Sequence, residues 1–242
     1  ALETVLSNFE ANMNYQDVQD PAITVKFKLM DEDDAYLTAW TTTPWTLPSN
    51  LAICVGSEID YAKVRDVETG QLLYMAEERM HDYGDRHNLE LMGIYKGAEL
   101  VGRSYEPTFP YFAEQADKGA FVVIADDYVT TDEGTGLVHQ APAFGEDDYR
   151  ILRDHGIEAF VCPVGMDGVF TQEVTDFADS FVKDADKHII KKLRAEGRMA
   201  SEGVYNHSYP FCWRSDTPLI YRAIPSWFVK VESFRDKLVK NN

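Results

Sequence analysis

Along the chain, apolar and polar positions alternate with the two-residue period of half-buried strands in several short stretches. Residues Ile23–Leu29 read ITVKFKL, with Ile23, Val25, Phe27 and Leu29 on one face and Thr24, Lys26 and Lys28 on the other. Further strand-like segments are Tyr36–Thr43 (YLTAWTTT), Leu51–Val55 (LAICV), Ala62–Val67 (AKVRDV), Gln71–Ala76 (QLLYMA), Ala120–Val129 (AFVVIADDYV) and Gly136–Ala141 (GLVHQA). Gly70 predicts a hairpin turn between the fourth and fifth of these. Three segments carry helical signals instead. Asp184–Gly197 (DADKHIIKKLRAEG) sets Ala185, Ile189 and Leu193 on one stripe and stops at Gly197. Glu146–Gly156 opens with three acids and ends in glycine, as the helix dipole and C-cap rules favour. Glu77–His87 is helical in composition but is interrupted by Gly84. Short strands separated by turns, with few strand–helix–strand crossovers, predict a mainly β, α+β fold of the barrel or sandwich kind.

The strand pattern breaks at Ala39–Asn50, AWTTTPWTLPSN. β-Branched threonines favour an extended backbone, yet Pro44 and Pro48 forbid a regular ladder through them. The break leaves hydroxyls and aromatic faces in one small volume. A second unusual stretch is Gly134–Tyr149, GTGLVHQAPAFGEDDY. Two glycines flank Thr135 in a tight turn, a short strand presents His139, and the chain then enters a helix that begins with Glu146, Asp147 and Asp148. A histidine and a carboxylate on either side of such a turn could converge on one ligand. On spacing alone, a core histidine followed by acids that suit a helix start is the simpler account.

Composition narrows the possibilities. A chain of 242 residues that is 45% hydrophobic and 12% aromatic can bury a sizeable core. No apolar run is long enough for a transmembrane helix, so no membrane partner is expected. The opening residues ALETVLSNFEANMNYQD lack the basic and apolar regions of a signal peptide, and they suggest a cytoplasmic piece of a longer polypeptide. Cys54, Cys162 and Cys212 are odd in number and widely spaced, which predicts reduced thiols and neither a disulfide framework nor a zinc ribbon. His207 with Cys212 gives only two potential metal ligands, too few for a site, and His81, Asp82, Asp85 and His87 read as a solvated helix face. The net charge of −18 argues against a domain that wraps nucleic acid. Any nucleic-acid contact is expected to be small and local.

Taken together, TTTPWTLPSN and GTGLVHQAPAFGEDDY resemble the paired signatures of the editing domain inserted into class I aminoacyl-tRNA synthetases of the isoleucyl, valyl and leucyl group. The isoleucyl form, in its cytosolic eukaryotic-type branch, is the fuller match: Thr43 and Trp45 stand where valyl and leucyl relatives carry arginine and an acid. YPFCWRSDTPLIYRAIPSWF (Tyr209–Phe228), DGVFTQEVTDF (Asp167–Phe177) and the DADKHIIKKL helix fit the same group, so the resemblance covers nearly the whole chain. It implies a closed, barrel-like β core decorated with peripheral helices over residues 1–205. Residues 206–242, rich in aromatics and prolines, would then return the chain to a synthetic core of Rossmann type. The ATP-binding motifs of that core are not in these residues, so ATP and magnesium are implied only for the whole synthetase and no cofactor or metal for this domain.

The implied activity is a second sieve. Valine lacks one methylene of isoleucine, and a hydrophobic pocket gains only ~1–3 kcal/mol from one methylene, a figure for which this amino-acid pair is the standard illustration. A smaller pocket that hydrolyses what enters corrects the error. By the resemblance, Asp148 would bind the substrate's α-ammonium. His139, Trp40, Thr41 and Thr43 would bound the side-chain pocket, and Thr42 and Asn50 would lie near the attacking water, giving a catalytic set of Thr42, Asn50, His139 and Asp148. The implied partners are the 3′ end of tRNA(Ile), valyl-tRNA or valyl-adenylate as substrate, and the rest of the synthetase in cis. Neither a nucleophile elbow nor a cysteine lies in either motif, so direct attack by a positioned water is expected. Two other readings stay open: a valyl-type editor that removes threonine, and a non-catalytic insertion that positions tRNA or a partner.

Overall fold

The computed structural model describes residues 3–84 and 88–241. Among the described residues nine strands form in chain order: β1 (Tyr15–Lys28), β2 (Ala35–Thr41), β3 (Ala52–Val55), β4 (Asp60–Asp66), β5 (Leu72–Ala76), β6 (Leu89–Lys96), β7 (Val122–Ala125), β8 (Val138–Gln140) and β9 (Met199–Pro210). The α-helices are α1 (Asn8–Ala11), α2 (Met80–Gly84), α3 (Gly97–Leu100), α4 (Glu146–Asp154), α5 (Val182–Ala195) and α6 (Arg235–Asn241). The strands assemble into a six-stranded sheet of order β6-β4-β5-β2-β1-β9 and a three-stranded sheet of order β7-β3-β8. All pairings are antiparallel except β2–β5 and β3–β7.

The alternation in ITVKFKL holds for its apolar face, but the strand is not half-exposed, because Thr24 at 1% and Lys26 at 8% exposure are buried as well. Ile23, Val25 and Phe27 are fully buried in the main core, which also includes Ile53 and Val123 of the smaller sheet and Ile189 and Leu193 of α5. The opposite face of the large sheet is covered more thinly, by Tyr83 of α2 over Ala62, Val64, Leu73 and Met75. The β4–β5 hairpin turns at Gly70, whose φ of 79° is left-handed and whose N–H donates to Asp66 O at 2.7 Å. The stripe Ala185, Ile189, Leu193 is wholly buried.

Among the described residues the expected closed barrel is not found. The large sheet ends at β6 and β9 and the small one at β7 and β8. Among the described residues, Ser104–Tyr105 links the two sheets by isolated bridges alone, Tyr105 to Leu29 just past β1 and Ser104 to Val122 of β7. The physical reason lies at Pro44, which stops β2 from running on into β3 and puts a 3₁₀ turn, Pro44–Ser49, in its place. Ala120–Val129 contributes only Val122–Ala125 to a ladder, and Gly136–Ala141 only Val138–Gln140. Glu77–His87 begins as a 3₁₀ turn and continues as α2, and its residues 85–87 lie outside the described residues.

The first half of β1, Tyr15–Asp20, pairs only with Tyr205–Pro210 of β9 and forms a two-stranded ribbon away from the core. β9 therefore runs through residue 205 without a break. Beyond it the chain is largely irregular until α6. Arg222 Nε donates to Val164 O at 2.6 Å and Ala223 N to Ala143 O at 2.7 Å, which dock this segment on the domain. Trp227 and Phe228 beyond them are exposed.

Candidate functional site

The end of β2 delivers Trp40 and Thr41 opposite Thr24 and Ile23 of β1. There the ladder stops, and side chains take over the backbone's hydrogen bonds. Thr41 Oγ1 accepts from Thr43 N at 3.0 Å and lies 3.2 Å from Thr43 Oγ1. Thr46 N and Thr46 Oγ1 both donate to Thr43 O, at 3.0 and 2.8 Å. The threonine run is thus a rigid turn with several hydroxyls on one side.

The GTG turn builds the facing wall. Thr135 Oγ1 donates to Thr38 O at 2.6 Å, Ala76 N to Thr135 O at 2.7 Å and Tyr61 OH to Gly136 O at 2.6 Å. Gly136 has φ 75°, and a Cβ there would lie 2.5 Å from Ala76 Cβ, so only glycine fits. β8 then sets His139 opposite Ile53 of β3. After Gln140 the chain turns into α4 with Gly145 at its N-cap, and Asp148 reaches back so that its Oδ1 accepts from Ala141 N at 2.7 Å. A Cβ on Gly145 would meet Asp148 Oδ2 at 2.1 Å, which makes the glycine necessary for this carboxylate position.

These walls enclose a cleft of about 570 Å³. Trp40, Thr41, Thr42, Thr43, His139 and Asp148 all line it. The Thr42 side chain makes no hydrogen bond within the described residues and faces the cleft free to bind. Trp40 stands edge-on to Tyr205, with ring centroids 5.3 Å apart. Asn50 does not line the cleft. It is buried behind His139, where its Oδ1 accepts from Tyr105 OH at 2.7 Å and its Nδ2 donates to Ala52 O at 2.9 Å.

The polar contacts fix the histidine. Asn50 Nδ2 lies 3.4 Å from His139 Nδ1 and can only donate, so Nδ1 accepts. Nε2 therefore carries the hydrogen and donates to Thr46 Oγ1 at 2.9 Å, whose own hydrogen goes to Thr43 O. Burial pushes the imidazole down to about 4, so the ring is neutral at physiological pH. With both nitrogens engaged by protein, it presents a wall and has no free base. Asp148 is the opposite case. Burial pushes its carboxyl up to about 6, the Ala141 N–H draws it back down, and Asp147 adds to the rise. Its Oδ2 accepts no hydrogen bond from another described residue, which leaves one carboxylate oxygen open to a cationic ligand.

Two residues in the site's support carry weaker signals in the sequence. Thr46 sits inside the first motif but beyond the threonine run that draws the eye. Asp186 lies on α5, 141 residues from the Trp45 N–H that it binds at 2.8 Å. His207 Nε2 lies 3.0 Å from Asp20 Oδ2, and Cys212 is buried in a separate turn. Among the described residues no three His, Cys, Asp or Glu side chains gather as a metal site would require. His81 and Asp82 are exposed, while Asp85 and His87 lie outside the described residues.

The model of the family described as tRNA synthetases class I (I, L, M and V) matches residues 1–242. The chain belongs to this family. Among its curated relatives, the cytoplasmic isoleucine–tRNA ligase of Mus musculus is 52% identical over 247 residues, covering 100% of this chain and 20% of the relative. The isoleucine–tRNA ligase of Bdellovibrio bacteriovorus is 54% identical over 243 residues, covering 100% and 23%. The chain thus spans about a fifth of the length of these synthetases. Eukaryotic and bacterial relatives lie at nearly the same identity, so identity does not single out the eukaryotic branch. The solved editing domain of P. knowlesi cytosolic leucyl-tRNA synthetase superposes with a TM-score of 0.60 at 10% identity, over 78% of this chain and 97% of that one. The P. falciparum counterpart gives 0.58 at 8% identity, over 78% and 100%. At such identities the likeness is one of fold. The architecture of this family member is that of a synthetase editing domain.

Proposed function

We propose that this chain is the proofreading module of an isoleucyl-tRNA synthetase, hydrolysing valine misattached to tRNA(Ile), with valyl-adenylate as a second substrate. The observation that carries the reading is Asp148, with one oxygen held by Ala141 N–H and the other without a partner among the described residues, in a cleft also lined by the hydroxyl-rich Thr41–Thr43 turn. A carboxylate with one oxygen anchored and one free suits an α-ammonium. The ring of His139, locked at both nitrogens, supplies a rigid boundary that stops the pocket at the size of valine.

The chemistry needs only water. Water adds to the ester carbonyl carbon, and the bond to the terminal ribose oxygen breaks. The ribose hydroxyl regains a proton and valine leaves as a carboxylate. An aminoacyl ester is already reactive, so orientation by threonine hydroxyls and backbone N–H groups is the main contribution asked of the protein. ATP and magnesium belong to the synthetic step elsewhere in the full enzyme. The acidic surface fits a module that grips only the single-stranded 3′ end, while other parts of the synthetase hold the tRNA body.

The test offers the full-length enzyme Val-tRNA(Ile) and Ile-tRNA(Ile). Rapid deacylation of the valyl ester alone is expected, with a large loss in Asp148→Ala. Equal hydrolysis of both esters, or an unchanged rate in Asp148→Ala, overturns the reading.

A further inference from the structure

The 3₁₀ turn Pro44–Ser49 begins without the usual protection. Residues at a helical N-terminus leave backbone N–H groups unpaired, and a Ser, Thr or Asp at the N-cap normally accepts one. Here the N-cap is Thr43, yet it makes no side-chain cap. Its hydroxyl is directed toward Thr41 and Thr46 instead. Pro44 has no N–H, so the first donor needing a partner is that of Trp45. Its acceptor is Asp186 Oδ1, at 2.8 Å, from the first turns of α5.

We propose that Asp186 is a positioning residue of the candidate hydrolytic site: it caps the threonine turn from a distant helix and so frees the Thr43 hydroxyl to form part of the pocket wall. The inference rests on the hydrolytic reading above. Asp186 is 5% exposed, and a buried carboxylate is costly unless a strong hydrogen bond uses it. Burial pushes it up to about 7, against the pull of Lys183 and of the Trp45 N–H, with Asp20 adding to the rise. Lys183 is itself tied to Asp20 of β1 at 2.9 Å. One turn of α5 thus holds both the β1 ribbon and the threonine turn.

What is held at Trp45 reaches the cleft by three routes. Thr43 lies two residues before it, across Pro44. The following residue, Thr46, receives the His139 Nε2–H. The Trp45 ring, 3% exposed, stands edge-on to Phe144 with centroids 5.0 Å apart, and Phe144 lines the cleft. Loss of the acceptor frees the turn to move, and a misplacement of about 1 Å at a reacting centre can cost ~100-fold in rate. Asp148 is untouched, so the defect falls on the chemical step and not on anchoring of the ammonium.

The experiment compares Asp186→Ala and Asp186→Asn in the full-length enzyme, by deacylation of Val-tRNA(Ile) and by hydrogen exchange of a peptide containing Trp45. In Asp186→Ala, kcat is expected to fall roughly 10- to 100-fold with KM within about threefold, and Trp45 exchange to accelerate. Asparagine keeps the acceptor oxygen and the shape, so Asp186→Asn is expected to retain both protection and rate. Wild-type kcat in Asp186→Ala despite faster exchange overturns the positioning role. Lost rate in a protected Asp186→Asn also overturns it, because the charge and not the cap would then be needed. A wild-type enzyme that spares the valyl ester refutes the hydrolytic reading itself, and unaltered exchange in Asp186→Ala refutes the cap independently of any activity.

Discussion

Thr46 and His139 meet across the floor of the cleft, with Oγ1 of the one 2.9 Å from Nε2 of the other. That bond, with Asn50 on the opposite nitrogen, makes the imidazole a fixed partition. His139→Ala removes the partition and widens the pocket by more than the methylene that separates isoleucine from valine. The variant is expected to hydrolyse Ile-tRNA(Ile), narrowing valine-to-isoleucine discrimination by a factor of roughly 10–200, the range that one methylene supports. Deacylation of the two esters measured side by side gives the ratio. An unchanged ratio would place the size limit elsewhere.

Asp148 predicts the lower limb of the pH profile. Its ionised form anchors the ammonium, and burial has raised its carboxyl to about 6. As pH falls through 6 the site becomes protonated and KM for the valyl ester rises. Above 7 the anchor is fully charged. His139, pushed down to about 4, adds no limb between pH 5 and 8. Asp148→Asn is expected to remove the dependence and to lower kcat/KM by ~1.5–3 kcal/mol, the worth of a hydrogen bond to a charged group. Steady-state kinetics from pH 5 to 8 on both proteins settle it. A limb that persists in the asparagine variant belongs to another group.

The strands that carry the site were legible because each presents buried apolar residues, even where, as at Thr24 and Lys26 of β1 and throughout β3, the other face is buried too. Ile23, Val25 and Phe27 alternate with polar residues and end at 0% exposure. The 3₁₀ turn was legible only as a break, from Pro44 and Pro48. β9 was not foreseen, since MASEGVYNHSYP carries no buried apolar face and pairs chiefly through its backbone to β1. β6 was hidden for the same reason, being an edge strand with mostly exposed side chains. Thr42, His139 and Asp148 stand out in the sequence only when the two motifs are read together, and the fold shows why: β8 and α4 carry the second motif to the end of β2. Asn50 read as a residue near the water, but Tyr105 and His139 hold it in the layer behind. Asp186 gave no local signal because its partner is a backbone N–H on a remote turn, and side-chain type does not encode such a bond.

Gly136 gives a stability prediction next to the cleft. Its φ of 75° costs an L-residue roughly 1–2 kcal/mol, and an added Cβ would stand 2.5 Å from Ala76 Cβ. Ala76 belongs to β5 and its N–H is bonded to Thr135 O, so the neighbour cannot retreat. Gly136→Ala is expected to destabilise the domain by about 2–4 kcal/mol, combining backbone strain with overpacking. Denaturant titration gives the number. Gly70→Ala is a control with similar φ and open space around the Cβ, and it should lose only the strain component.

Asp186 yields a stability effect of known sign. An unfolded aspartate titrates near ~3.9, whereas burial holds the folded group at about 7. The folded state therefore favours the protonated form. That contribution is complete below the unfolded value and is lost as pH rises through 7, at a total on the order of 4 kcal/mol. Asparagine keeps the acceptor for Trp45 N–H and carries no charge, so it avoids the penalty. Asp186→Asn is expected to match wild type in thermal stability at pH 4. It should exceed wild type progressively up to pH 7–8, by up to about 8–16 °C at ~2–4 °C per kcal/mol for a domain of this size. A difference that stays flat across this range would mean that the carboxyl does not titrate on unfolding, and that Lys183 keeps it charged in the folded protein at every pH tested. The gain, if seen, would show that the threonine turn is held by a costly acidic cap where a neutral one of the same shape binds as well.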